Sequence, residues 1–248
     1  MKSKMAIAAL FSVAAILTPA HASTVLFNTS SLGTNTALPS PYSITLSNSG
    51  GTITAYGFDG VFSASTPPTD VAGSATGPTT GTGKDVAVTQ PAGLGVDNGT
   101  GGTNSDIGPG DAVVLDFSGV SSTVKQNTTQ VTFDMTVDQT GPSYWAVYGF
   151  NGTQYVLLGQ GPMETPTSGT GGNGLTGTYS ASPTFSTSTL YTSYLVGVTN
   201  DCDLTVNEVQ ITYNGQTTQS TPEPGTFVMA GMALVAVGIT MRKRNRKA

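Results

Sequence analysis

The sequence predicts an all-β fold: a single antiparallel β-sandwich, jelly-roll-like, flanked by a signal segment at each end. Three observations carry this expectation. The 248 residues include 32 Gly and 14 Pro, Thr and Ser are abundant, and only 9% are charged. Such a composition disfavours helices, because Thr fits strands while Gly, Pro, Asn and Ser fit turns. Short stretches of strand length recur through the middle of the chain. Turn signals separate them, and no segment between 23 and 221 shows a 3.6-residue apolar period.

The predicted strands are 24–27, 42–46, 52–58, 61–64, 85–89, 112–117, 130–137, 144–150, 154–158, 190–198 and 206–213. Within 130–137, Val131, Phe133, Met135 and Val137 fall on one face, with Thr132, Asp134, Thr136 and Asp138 on the other. That alternation describes an antiparallel strand with one face buried and one solvated. Turns are expected at Asn48-Ser49-Gly50-Gly51, Asp59-Gly60, Asn151-Gly152 and Asn214-Gly215. Asn151-Gly152 between two apolar runs predicts a hairpin with a type I′ turn. Two Thr/Gly/Pro/Ser-rich stretches, 65–83 and 161–188, read as long surface loops. No internal repeat is found.

The charge is strongly segregated. All but one of the 14 acids, but only Lys84 and Lys125 among the nine bases, lie between residues 23 and 221, a formal net of −11 for the body. An acidic body repels nucleic acid and anionic lipid. It suits solubility and is compatible with divalent cations. The single His is His21 and the single Cys is Cys202. The body therefore has no disulfide of its own, no His/Cys metal cluster and no imidazole for a Ser-His-Asp or Cys-His device.

Both ends carry signals. Lys2 and Lys4 precede an apolar run over 5–17, and Ala20-His21-Ala22 follows Pro19. This is the three-part pattern of a secretory signal peptide, 1–22, cleaved after Ala22. The Sec translocon and signal peptidase are then partners, and the body, 23–214, works outside the cytoplasm. At the other end, residues 215–221 form a polar linker to a final segment, 222–248. Pro222-Glu223-Pro224 opens that segment and cannot lie inside a helix. Residues 226–241 are apolar apart from Thr226 and Thr240. Arg242, Lys243, Arg244, Arg246 and Lys247 close the chain. As a helix, about 16 residues span about 24 Å, short of the ~30 Å hydrocarbon core but within reach of snorkelling and bilayer thinning. The basic tail, 242–248, stays cytoplasmic by the positive-inside rule, which agrees with an exported body.

Pro-Glu-Pro, a short hydrophobic helix and a terminal basic cluster resemble the PEP-CTERM sorting signal of Gram-negative bacteria. The resemblance covers about the last 28 residues. It implies that an exosortase, a membrane-embedded transpeptidase-like enzyme, processes the chain near Pro222, Glu223 and Pro224. It also implies export linked to exopolysaccharide or biofilm. Gly225 stands where Ser or Thr is commoner in the family, and Thr226 follows it. Residues 92–96 and 111–117 are similar to a pattern in many PEP-CTERM ectodomains, where it belongs to a β-sandwich of undefined function.

Several residues of the body are candidates for binding. Asp97, Asn98, Asn104, Asp106 and Asp111 stand among glycines, and calcium takes six to eight oxygens from such a loop. The spacing matches neither an EF-hand nor a Gly-Gly-x-Gly-x-Asp repeat. Asp201 and Asp203 flank Cys202. Tyr144 and Trp145 are candidates for a sugar platform, although adjacent strand residues face opposite ways. Asp116, Asp134, Asp138 and Glu164 are the carboxylates to weigh for glycoside hydrolysis. Asn28-Thr29-Ser30, Asn98-Gly99-Thr100, Asn127-Thr128-Thr129 and Asn151-Gly152-Thr153 fit the N-glycosylation sequon. The expectation is a non-enzymatic, exported surface or matrix protein, first anchored by its C-terminal helix and then sorted. It needs no cofactor, calcium aside. The rivals are a carbohydrate-binding module or adhesin, a carboxylate-based glycosidase, and a protein that simply keeps its membrane tail.

Overall fold

The computed structural model describes residues 21–29, 36–62, 68–89, 93–97, 106–139, 144–162, 165–170, 176–188, 190–199 and 202–215. Ala22–Gly215 forms one compact unit. The predicted signal peptide up to Ala20, Pro222-Glu223-Pro224, the predicted helix 226–241 and the basic tail lie outside the described residues. Among the described residues, no helix is long and apolar enough to cross a membrane.

In chain order the strands begin with β1 (His21–Asn28), β2 (Thr36–Leu38), β3 (Tyr42–Thr45), β4 (Thr52–Asp59), β5 (Asp70–Ser74), β6 (Gly77–Pro78), β7 (Thr82–Lys84), β8 (Val86–Thr89), β9 (Gly93–Val96) and β10 (Ala112–Asp116). A short helix, α1 (Ser122–Asn127), precedes β11 (Thr128–Gln139), β12 (Tyr144–Phe150), β13 (Gln154–Pro162) and β14 (Thr165–Thr170). The chain continues through β15 (Thr176–Ala181), β16 (Thr184–Ser186), β17 (Ser193–Thr199) and β18 (Cys202–Gly215). The first sheet runs β14-β15-β11-β18-β9-β8-β2, with β1 on β18 and β16 on β11. The second runs β3-β4-β10-β17-β12-β13-β5-β6, with β7 on β4. Every ladder with a described register is antiparallel. The all-β, antiparallel expectation is met.

The main apolar cluster draws on both sheets. Phe27, Leu94, Val131, Phe133, Met135, Val206 and Ile211 come from the first sheet, and Ile53, Val113, Leu115, Val147, Tyr194 and Val196 from the second. Along β11, Val131, Phe133 and Met135 are fully buried while Thr132, Asp134 and Thr136 are half-exposed, as their alternation requires. Burying each large apolar side chain stabilises the fold by about 1.5–3 kcal/mol. Val25 and Phe27 of β1 belong to this core and lie beyond the predicted cleavage point at Ala22, so a cleaved chain keeps both.

The second sheet is covered on its outer face as well. Ala112, Val114, Ala146, Tyr148, Tyr155 and Leu195 point away from the main core into a second cluster closed by Val61, Phe62 and Val71. This explains why β10 is buried at all five positions and reads as an apolar run from Ala112 to Leu115 before Asp116.

The structure corrects the sequence reading in four places. The predicted loop 65–83 contributes β5, β6 and β7, and the predicted loop 161–188 contributes β14, β15 and β16. Thr and Gly carry no apolar alternation, so these edge strands left no periodic signal. Val61 and Phe62, predicted as a strand, are not in one; they cap the second cluster. One helical turn, α1, was not expected. Its N-cap is Ser121, whose Oγ accepts from Val124 N at 3.4 Å. The type I′ turn is not at Asn151-Gly152. Among the non-glycine residues there and at 48–49, only Asn48 (φ 52°) and Ser49 (φ 57°) have positive φ, and Gly50 N donates to Ser47 O at 3.0 Å. Consecutive positive φ values at the two central residues define type I′. In the β12–β13 turn only Gly152 has positive φ, at 101°, with Asn151 N donating to Gln154 O at 3.0 Å. A positive φ at the first central residue alone is the type II′ arrangement.

Candidate functional site

The most distinctive solvent-facing surface is the outer face of the first sheet, where β11 and β18 are long partners. Residues 206–211 read Val-Asn-Glu-Val-Gln-Ile, with two polar residues between inward valines where alternation allows one. The extra residue is Asn207: Asp134 faces Glu208 while Met135 faces Val206, so Asn207 bulges from the ladder. The bulge sets Glu208 directly across from Asp134. Ser182 Oγ donates to Asp134 Oδ1 at 3.0 Å, and Asn28 Nδ2 donates to Glu208 Oε2 at 3.0 Å. Thr132 and Thr184 hydroxyls stand 3.0 Å apart on the same face. The bulged Asn207 donates through Nδ2 to Thr136 Oγ1 and accepts from Thr205 Oγ1 at 3.2 Å, and its carbonyl accepts from the buried Thr29 hydroxyl at 3.0 Å. A Cβ at Gly93 would stand 2.3 Å from Thr205 Cβ, so glycine there lets β9 approach this network.

This face offers hydroxyls, amides and two facing carboxylates, with no cation among the described residues. The body's two lysines are engaged elsewhere. Lys84 lies 3.8 Å from Asp59, and Lys125 donates to Ser118 O at 2.6 Å. Sequence reasoning weighed Asp134 but missed Glu208, because their pairing depends on register. The doubled polar pair in 206–209 was the available signal. Asp203 takes the register position opposite Asp138.

Among the described residues, the other sequence-predicted positions fall on or beside several different strands. Asp97 closes β9 and donates its amide to Asp85 O at 2.8 Å. Asp106 precedes Ile107, which bridges to Leu204, and Asp111 is buried at the start of β10 with its amide on Gly108 O. Among the described residues, no group of three or more His, Cys, Asp or Glu could hold a metal ion. Asp97 instead shares an open cleft of about 540 Å³ with Ser40, Gly83, Lys84 and Asp85. Asp85 Oδ1 accepts from Ser40 N at 3.2 Å.

Tyr144 and Trp145 do not form one platform. Tyr144 is 41% exposed, whereas the Trp145 ring packs against the main core and over Gly161, whose Cβ would meet its Cζ2 at 3.1 Å. Tyr148, on the same strand face as Tyr144, is fully buried, with its hydroxyl on Pro68 O at 2.8 Å. Asp116 is buried with both oxygens committed to Ser118, to its N at 2.7 Å and its Oγ at 2.9 Å. Nearby, Tyr155 donates to Ser74 O at 2.8 Å and lies 2.9 Å from Ser193 Oγ. Burial pushes the phenols of Tyr148, Tyr155 and Tyr194 well above their ordinary range. Burial, then the Asp116 charge, raises Tyr56. These hydroxyls act as neutral hydrogen-bonding groups. Glu164 and Asp201, like Asn98 and Asn104, lie outside the described residues.

Among curated proteins, none matches the chain in sequence. Among solved structures, the chain is similar to the K1 cleaved adhesin domain of Lys-gingipain from Porphyromonas gingivalis W83. The identity is 14% over 78% of this chain and 99% of that one, with a TM-score of 0.33, too low to carry an argument about fold or role. The C-terminal segment gives the decisive match. Residues 220–245 match the family model for the PEP-CTERM protein-sorting motif, over the residues that hold Pro222, Glu223, Pro224 and most of the basic cluster. That motif implies processing by an exosortase and export to a membrane-anchored surface position, and the C-terminal segment of the chain is similar to a PEP-CTERM sorting signal.

Proposed function

We propose that this chain is a non-catalytic surface or matrix protein, exported through its N-terminal signal and sorted through Pro222-Glu223-Pro224, whose ectodomain associates with exopolysaccharide. The observation that carries the reading is the sorting motif at residues 220–245. Two prolines in Pro222-Glu223-Pro224 disfavour a helix there, which suits its reading as the peptide an exosortase acts on. The apolar run 226–241 and the basic tail hold that peptide at the membrane until the exosortase acts. The ectodomain is read as a two-layer β-sandwich, supported by an apolar core drawn from both sheets. Its outer face of hydroxyl, amide and carboxylate groups suits a hydrated polymer, and its net charge of −11 favours neutral over anionic polysaccharide.

Intact-mass spectrometry of the protein recovered from cells and medium tests the reading. A mature chain that starts at Ser23 and ends near Pro222–Pro224 supports it. A chain still ending at Ala248 makes the tail a plain membrane anchor and removes the sorting role. Replacing Pro222, Glu223 and Pro224 with alanine is expected to leave the tail uncut.

A further inference from the structure

We infer that Asn151, at the tip of the β12–β13 hairpin, is the acceptor for an N-linked glycan. The inference rests on the export reading above, since only an exported chain meets a transferase of this class.

Four sequons are present, and the structure separates those it describes. Asn98-Gly99-Thr100 and Ser30 of the first sequon lie outside the described residues. In the first, Asn28 Nδ2 already donates to Glu208, and Thr29 is fully buried with its hydroxyl on Asn207 O. In the third, Asn127 Nδ2 donates to Thr123 O at 2.8 Å at the end of α1, Thr128 is buried, and the Thr129 hydroxyl is held by Thr212 O at 3.2 Å.

Asn151-Gly152-Thr153 differs at every atom that matters. All three residues are exposed. Asn151 Oδ1 accepts from Thr153 N and from Gln154 N, both at 3.0 Å. Both partners are donors, so the atom facing them must be the oxygen, which settles the orientation of the amide. The amide is planar, and Nδ2 therefore points away from the turn. Among the described residues, neither Asn151 Nδ2 nor the Thr153 hydroxyl has a partner. Gly152 holds φ at 101°, with nothing within 4 Å of where its Cβ would stand, so the tip offers a clear approach.

The ligand class is an oligosaccharide carried on a lipid diphosphate, presented by a membrane-bound oligosaccharyltransferase that recognises Asn-x-Thr. In the transfer, Asn151 Nδ2 attacks the anomeric carbon. The new C–N bond forms as the C–O bond to the diphosphate breaks. The lipid diphosphate leaves with the bonding pair, and one amide proton passes to a base of the transferase. The Thr153 hydroxyl is the recognition group and stays unmodified.

Glycopeptide mass mapping of the protein purified from the organism that makes it tests this, alongside the Asn151→Gln, Thr153→Ala, Thr153→Ser and Asn127→Gln variants. The expected result is one glycan increment on the peptide holding Asn151. It is lost completely in Asn151→Gln and in Thr153→Ala, which preserves the turn's backbone contacts, and is kept in Thr153→Ser and Asn127→Gln. A correctly processed chain from Ser23 with bare Asn151 overturns the inference while leaving the sorting reading intact, whether glycan sits elsewhere or nowhere. A chain that keeps its signal peptide and never leaves the cytoplasm overturns both.

Discussion

The Phe62 ring lies against the α-carbon of Gly197: a Cβ at 197 would stand 2.1 Å from Phe62 Cε2. Phe62 reaches this position from the end of β4, where Val61 N and Phe62 N both donate to Gly110 O, at 2.6 and 3.2 Å. It also stacks on Tyr148, with ring centroids 5.9 Å apart. The contact closes the second apolar cluster over the central strands β10, β17 and β12. Gly197→Val forces the ring out and is expected to destabilise the protein by about 1–3 kcal/mol. Phe62→Ala leaves a cavity over the same glycine and is expected to cost about 3–5 kcal/mol. Urea unfolding of the exported protein checks both. Effects below the measurement error would mean that this outer layer is not part of the cooperative fold.

The two hairpin turns give opposite predictions. Ser49 holds φ at 57° with a side chain, a conformation that costs a non-glycine residue about 1–2 kcal/mol. Ser49→Gly relieves that strain at some cost in unfolded-state entropy, and a net gain of up to about 1 kcal/mol is expected. Gly152→Ala meets no atom but keeps φ at 101°, so a loss of about 1 kcal/mol is expected from the backbone alone. Melting temperatures of the two variants should move in opposite directions. Movement in the same direction would contradict the turn geometry at one of them.

These turns also mark how far the sequence could be read. Asn151-Gly152 is the stronger type I′ pair by composition, yet the type I′ turn formed at Asn48-Ser49. There, Asn48 Nδ2 donates to Thr24 O and Leu26 N donates to Ser47 Oγ, tying the turn to β1. Tertiary contacts of that kind are invisible to local composition. The strands with apolar alternation, 130–137 and 144–150 above all, were legible because period 2 records which face is buried. The strands in 70–84 and 165–186 were not, because Thr, Ser and Gly on sheet edges carry no such record. The sorting motif was legible in full, since three features coincide within one terminal segment. The Asp134–Glu208 pairing was not, because one bulged residue decides what faces what.

That pairing carries its own prediction. Like charges directly opposite on a sheet destabilise it, with cross-strand pairs worth about 0.2–1 kcal/mol. Among the described residues no lysine or arginine offsets this one; Ser182 and Asn28 supply only neutral donors. Glu208→Gln keeps the size and the acceptor for Asn28, so stability at neutral pH is expected to hold or rise by a few tenths of a kcal/mol. Salt should stabilise the parent protein more than the variant, because it screens the repulsion. Thermal melts at low and high salt check this, and a parent insensitive to salt would place the pair too far apart to interact.

The buried tyrosines set the alkaline limit. Tyr148, Tyr155 and Tyr194 are fully buried, and burial is the largest cause raising each phenol above its ordinary value of 10.0. Ser193 works in the opposite direction at Tyr155, and the Tyr191 backbone does so at Tyr194. A folded-state pKa above the unfolded one means the unfolded chain ionises first. The stability these three groups confer is therefore complete below about pH 10 and declines as pH rises beyond it. Each contributes a slope of up to about 1.4 kcal/mol per pH unit, so three together remove roughly 4 kcal/mol per unit until the fold gives way. Tyrosinate absorbance and circular dichroism followed together through an alkaline titration separate the alternatives. The expected result is that Tyr148, Tyr155 and Tyr194 ionise only in step with unfolding. In Tyr148→Phe, which loses one such group and the bond to Pro68 O, the alkaline decline should be shallower by about one third, although stability at neutral pH falls by about 1 kcal/mol. If Tyr148, Tyr155 and Tyr194 instead ionise near pH 10 while the β-signal persists, both apolar clusters admit water and these phenols are not buried.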